Sequence, residues 1–201
     1  MKLIIIEGPD NTGKNTLINN ILEHNEVVKV IHCGKPNLNG NVLLNQYKSF
    51  RNLADIAITD FLIEESSESK LEDIIVFNRY HIGEYVYGQI YRNENPNQII
   101  DMIHLIEDAI LEKIPQDDIY YIQLLSTSSE LLQKNDDGKS FSDAKLELIE
   151  KEQQLFKEAF EKSKFVNKHI IYVNKENSSE FKDRQTIINE FNEFAKSNIE
   201  Q

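Results

Sequence analysis

The sequence predicts a single α/β domain in which helices cover both faces of a five-stranded parallel sheet. Three observations carry that expectation. The chain has 201 residues, 40% of them hydrophobic, which suffices for one full core. Five short apolar runs rich in β-forming residues stand at 3–6, 27–31, 73–77, 119–125 and 169–173. Helical patterns separate each run from the next, an alternation that belongs to parallel sheets with helical crossovers.

The first run, LIII, ends at Gly8 and Pro9 and is continuous rather than alternating, as a strand buried on both faces requires. A helix is expected over 13–24, and a long stretch free of Gly and Pro predicts another over 42–66. After the third run, Pro96 opens a helix to Lys113 with Ile99, Met102, Ile103, Ile106 and Ile110 on one face. The polar stretch NDDGKS at 135–140 has turn chemistry suited to a flap. Helices over 141–163 and 180–197 complete the chain, the last with Ile187, Ile188, Phe191 and Phe194 spaced for one face. Neither a repeat nor a linker interrupts the order.

Thirty-four acidic residues against 22 basic ones leave a formal charge of -12. Such a surface opposes nucleic-acid backbones and anionic lipid, so neither nucleic acid nor membrane is an expected partner. An anionic ligand then has to be held by a local concentration of donors. Cys33 is the only cysteine, which excludes an internal disulfide and a cysteine-based zinc cluster and suits a reducing compartment. The run at 3–6 is too short for a signal peptide or a membrane span. These features predict a cytoplasmic protein, in the host cytoplasm if the chain is viral. His24, His32, His81, His104 and His169 are scattered without metal-ligand spacing.

Between the first run and the first helix lies Gly8-Pro9-Asp10-Asn11-Thr12-Gly13-Lys14-Asn15-Thr16, a match to G-x-x-x-x-G-K. Two glycines let backbone N–H groups turn inward on anionic oxygens, and the helix that follows presents its positive end. Lys14 is placed to reach the β and γ phosphates. The pattern assigns Gly8, Asn11, Thr12, Gly13, Lys14, Asn15 and Thr16 to ATP. After the lysine, P-loops normally place a hydroxyl that ligates magnesium. Here Asn15 stands instead, and its amide oxygen can ligate the ion or hold a metal-bound water. Mg²⁺ is the expected cofactor, with Asn15 and Asp10 as its candidate residues, directly or through water.

A P-loop alone does not name a reaction, and the discriminating residues should lie beyond the carboxyl ends of the other strands. The third run delivers Asn78-Arg79-Tyr80. Only four arginines occur, Arg51, Arg79, Arg92 and Arg184, so one at a strand end is a candidate fork for a phosphate.

IIIEGPDNTGKNTL, followed by NRYHIGEYVYG, resembles the thymidylate kinase family and the related phage deoxynucleoside monophosphate kinases. Glu7, Gly8 and Asp10 match the opening of that family, and Arg79, Tyr80 and Tyr87 match its second motif. The resemblance implies a P-loop NTPase three-layer sandwich over 1–201, with strand order 2-3-1-4-5 and a short helical lid near 126–145. It implies transfer of the ATP γ-phosphoryl to a deoxynucleoside 5′-monophosphate, most readily dTMP, and leaves room for a homodimer. Lys14, Arg79 and Asp10 become the catalytic candidates. Asp10, Lys35, Phe50, Arg79, Tyr80, Tyr87 and Arg92 become the substrate candidates, with Tyr87 against the deoxyribose. Tyr47 shares the stacking role with Phe50.

The chain departs from the family in three places. The Asp before the Arg is Asn78, the Arg after the second strand is replaced by Lys35, and no Arg lies between Arg92 and Arg184. Lid cations are then Lys134, Lys139 and Lys145, with Lys139 the candidate for ATP. Two alternatives remain. A deoxynucleoside kinase acting on a 5′-hydroxyl would benefit from a carboxylate base near the end of the second strand, where HCGKP stands. A non-catalytic nucleotide-binding protein would tolerate all three departures.

Overall fold

The computed structural model describes residues 2–24, 28–33, 74–138, 140, 142–176 and 178–199. In chain order these form β1 (Lys2–Glu7), α1 (Lys14–His24), β2 (Val28–His32), β3 (Ile74–Asn78), α2 (Gly83–Arg92), α3 (Pro96–Leu111), β4 (Ile119–Leu125), α4 (Ser129–Lys134), α5 (Leu146–Lys162), β5 (Lys168–Tyr172) and α6 (Arg184–Ile199). The sheet is parallel throughout and ordered β2-β3-β1-β4-β5. The helix expected over 42–66, with Tyr47 and Phe50, and the candidates Lys35 and Lys139 fall outside the described residues.

Alternation along β1 explains the three layers. Leu3 and Ile5 point to one face, where Tyr85, Val86, Ile99, Ile103, Ile106 and Phe156 of α2, α3 and α5 pack. Ile4 and Ile6 point to the other, against Leu17, Ile18 and Ile21 of α1 and Phe191 of α6. A strand buried on both faces can spare no polar position, which is why the first run reads as uninterrupted Leu and Ile.

Three helices differ from their expected bounds for local reasons. Asp143 and Ala144 have φ of 48° and 56°, so α5 begins at Leu146 rather than near 141. Asp183 accepts the Thr186 N–H at 2.9 Å, an N-cap that starts α6 at Arg184. Residues 83–92 form a helix of their own inside what the sequence shows only as a motif.

Gly8 sits where β1 enters the phosphate loop, with φ of +139°, and a Cβ there would lie 2.2 Å from the Leu124 carbonyl oxygen. That contact is with the backbone of β4, so no side-chain movement relieves it. Gly8→Ala is expected to destabilise the fold by about 3 kcal/mol or more, read as a lowered urea midpoint. Gly13→Ala, whose Cβ would meet nothing within 4 Å, serves as the comparison and should cost less.

Candidate active site

The loop between β1 and α1 folds around its own lysine. Lys14 is buried, and its ammonium donates to the Gly8 carbonyl at 2.7 Å and the Pro9 carbonyl at 2.5 Å. Burial, with the Arg79 guanidinium nearby, pulls it down to about 7, against the opposing pull of Asp10, Glu7 and Glu152. Asn11 and Gly13 take positive φ of 63° and 82°, and the Thr12 hydroxyl ties back to the Pro9 carbonyl at 2.9 Å. The Gly13 carbonyl accepts the Thr16 and Leu17 N–H groups, which starts α1 at the loop.

The turn after β3 is fixed from β1. Glu7 is fully buried and accepts the N–H of Tyr80 at 2.7 Å and of Gly83 at 3.2 Å. Burial raises its pKa despite those two bonds, and its Oε2 has no hydrogen-bond partner among the described residues. Arg79 itself adopts φ of 60°, and its N–H is held by the Ile6 carbonyl at 3.0 Å. A left-handed arginine costs energy that only a surrounding frame can hold in place. Here Glu7 and Ile6 form that frame, and it turns the guanidinium back onto Asp10, with which it makes a hydrogen-bonded ion pair.

These residues converge on one cavity of about 360 Å³, lined by Asp10, Asn11, Gly13, Lys14, Asn15, Arg79 and Asp137. Backbone donors, an ammonium and a guanidinium on a single cavity suit phosphate oxygens. A second cavity of about 250 Å³ lies on the other flank of the loop, where Thr12, Gly13 and Thr16 meet Val173, Phe181 and Ile187. Asn15 and Asn78, the two departures from the resembled pattern, are hydrogen-bonded neighbours. The Asn78 amide donates to Asn15 Oδ1 at 2.9 Å and to His32 Nδ1 at 2.8 Å. Asn78 Oδ1 is buried and finds no partner among the described residues. No group of three His, Cys, Asp or Glu among the described residues could hold a metal alone.

The other candidates divide. Tyr87 is buried in the core, its ring 6.1 Å from Tyr91 and edge-on to Phe156 at 5.9 Å, and it does not line the cavity, although Asp10, Arg79 and Glu152 are among the charges that act on its hydroxyl. Tyr80 is in the core, its ring stacked on Phe77 at 4.3 Å, and its N–H donates to Glu7. Arg92 is also placed elsewhere than expected: its guanidinium is held by Glu84 and Glu94, and it does not line the cavity. Lys134 and Lys145 are exposed and do not line it either. His81 is fully buried 3.6 Å from Glu107, a contact between the turn after β3 and α3. Burial pushes the Cys33 thiol up to about 12, which makes it inert at neutral pH.

Glu152 is the residue that sequence reasoning missed. It lies on the buried face of α5, accepts the Tyr91 hydroxyl at 2.7 Å, and burial raises it to about 7, with Asp10 adding to the rise. Lys14 and Arg79 pull the other way, so the carboxyl belongs to the same electrostatic cluster. The signal was present as one acid in the stripe Ile149, Glu152, Phe156, Ala159. An acid raised from 4.5 to about 7 by the fold contributes stability below pH 4.5 that is lost as pH rises through 7, up to about 3 kcal/mol. Glu152→Gln should match wild type in Tm at pH 5 and exceed it by several degrees at pH 8. Thermal unfolding at the two pH values checks this, and a lower Tm for the variant at pH 8 would contradict it.

No family model matches the chain and no curated protein matches it in sequence. Solved structures do match it over nearly its whole length. YorR from Bacillus subtilis, in complex with phosphorylated GDP, superposes with a TM-score of 0.65 at 15% identity, covering 99% of this chain and 98% of that one. Thymidylate kinase from Candida albicans gives 0.55 at 18% identity, covering 98% and 92%. Polyphosphate kinase 2 from Arthrobacter aurescens gives 0.57 at 15% identity, covering 97% of this chain and 68% of that one. At these identities the likeness is one of architecture, and with the strand order it gives this chain the fold of the P-loop kinases.

Proposed function

We propose that the protein transfers the γ-phosphoryl of ATP to a deoxynucleoside 5′-monophosphate, with dTMP the first acceptor. The observation that carries this reading is the shared cavity, in which the P-loop ammonium of Lys14 and the strand-end guanidinium of Arg79 meet across Asp10. One of those structural neighbours is a thymidylate kinase and another a polyphosphate kinase, which supports phosphoryl chemistry on a phosphorylated acceptor.

In this reading the amides of Gly13 and Asn15 and the ammonium of Lys14 hold the donor phosphates, and the apolar cavity beside Thr16 takes the donor base. Arg79 aligns the acceptor phosphate and Asp10 aims Arg79. The acceptor phosphate is already an oxyanion, so positioning and charge neutralisation suffice and no strong base is needed. Mg²⁺ bound to the nucleotide supplies charge to the transferring group. The donor set fits it: Asp10 and Asn15, which border the cavity, would hold the ion directly or through water, with the unspent Asn78 Oδ1 next to Asn15.

A coupled assay for ADP over the eight common ribo- and deoxynucleoside monophosphates, with thymidine alongside, tests the reading. ADP formed fastest with dTMP is the expected outcome. Turnover of thymidine but not dTMP would support a deoxynucleoside kinase, and tight ATP binding without ADP for any acceptor would support a non-catalytic protein.

A further inference from the structure

We propose that Glu7 is a positioning residue for the acceptor: by holding the turn that opens α2 it sets the direction of the Arg79 guanidinium, and through it the affinity for the acceptor phosphate. The inference rests on the phosphoryl-transfer reading above and adds to it a residue that touches no substrate.

Glu7 stands where the core pattern calls for an apolar side chain. It follows Leu3 and Ile5 on one face of β1, and all three are fully buried. An acid at such a position costs free energy unless its oxygens find donors. Oε1 finds two, the N–H groups of Tyr80 and Gly83, which bracket the segment between Arg79 and the first turn of α2. The helix has no cap of its own, because Ile82 at its N-cap is already helical and makes no side-chain cap hydrogen bond. A carboxyl oxygen supplied from β1 satisfies one of the open N–H groups and meets the positive end of the helix.

The consequence reaches Arg79. Its own N–H is held by the Ile6 carbonyl, and the chain beyond it is pinned to Glu7, so both sides of the residue are tied to β1. Its φ of 60° then has no room to relax. Loosening one tie lets Arg79 return to the broad allowed regions, which turns the guanidinium off Asp10. Gly83 reports on the same contact independently, since a Cβ there would lie 3.2 Å from Glu7 Oε2. Ile82, Tyr85 and Val86 keep α2 docked on the core whether or not Glu7 holds the turn.

Calorimetric titrations of dTMP, and separately of ATP with Mg²⁺, into wild type, Glu7→Asp, Glu7→Gln and Gly83→Ala test this. Leu3→Ala is the control, which weakens the core from the same strand without touching the turn. Glu7→Asp, whose shorter side chain cannot span both N–H groups, should bind dTMP about tenfold more weakly. Glu7→Gln keeps an oxygen for them and should recover most of that loss, and Gly83→Ala should weaken dTMP in the same direction as Glu7→Asp. ATP affinity should stay within about twofold of wild type throughout. In an Arg79→Lys background Glu7→Asp should cost little more, because the fork it aims is already gone. Equal losses for dTMP and ATP, additive losses in the double variant, or the same dTMP loss in Leu3→Ala would overturn the inference and leave the function reading standing. A wild type that binds neither nucleotide would overturn both.

Discussion

Lys14→Ala is expected to lower phosphoryl transfer by about a thousandfold or more, the scale seen when a preorganised charge is removed from a transition state. The side chain is buried against the Gly8 and Pro9 carbonyls and its pKa is pulled down to about 7, so its ammonium form is desolvated and faces only neutral acceptors there. Nucleotide phosphates entering the loop would replace those carbonyls and favour the ammonium form, which would then neutralise the charge as it moves to the leaving oxygen. The fold should survive, because the β1 core lies on Leu3 to Ile6 and not on the loop. Initial rates at saturating and limiting ATP, with circular dichroism as the fold control, check the result. A folded variant within tenfold of wild type would remove Lys14 from the chemistry.

Asp10→Asn should reduce transfer by on the order of a hundredfold, and this follows from what its carboxylate touches. It pairs with the guanidinium of Arg79, whose own backbone is held at φ of 60°, and it borders the P-loop cavity. Removing the charge frees the fork that would grip the acceptor phosphate and would take a carboxylate from the surroundings of a bound Mg²⁺. Two measurements separate these roles. Raised Mg²⁺ should partly restore Asp10→Asn if the metal contribution matters. Arg79→Lys should cost acceptor use at least about tenfold, and the double variant should be less than additive if the pair acts as a unit. Additive losses with unchanged magnesium dependence would mean that Asp10 serves neither the metal nor Arg79.

The sequence made the local features legible and left the long-range ones hidden. Gly8 to Thr16 read as a phosphate loop because its glycines, lysine and flanking elements are contiguous, and the structure places Lys14 and Arg79 on one cavity. The pair Arg79–Asp10 spans 69 residues and the bond from Glu7 to Gly83 spans 76, so neither has a local signature. Tyr80 and Arg92 carried polar groups near a motif, which suggested substrate. The structure spends Tyr80 on stacking with Phe77 and Arg92 on Glu84 and Glu94. α2 was hidden because Gly83 and Gly88 weaken its helical pattern, although both fit close packing against Glu7 and Ile99.

In the proposed reaction one cavity, formed by the P-loop and Arg79, hands a phosphoryl group from ATP to a nucleoside monophosphate. Incubation of wild type with γ-³²P-labelled ATP, Mg²⁺ and dTMP, followed by separation of the nucleotides, tests it directly. Label is expected in the β-position of dTDP, equal in amount to the ADP formed, and none when Lys14 is replaced by alanine. Label released only as inorganic phosphate, or remaining in ATP whichever monophosphate is offered, would contradict it.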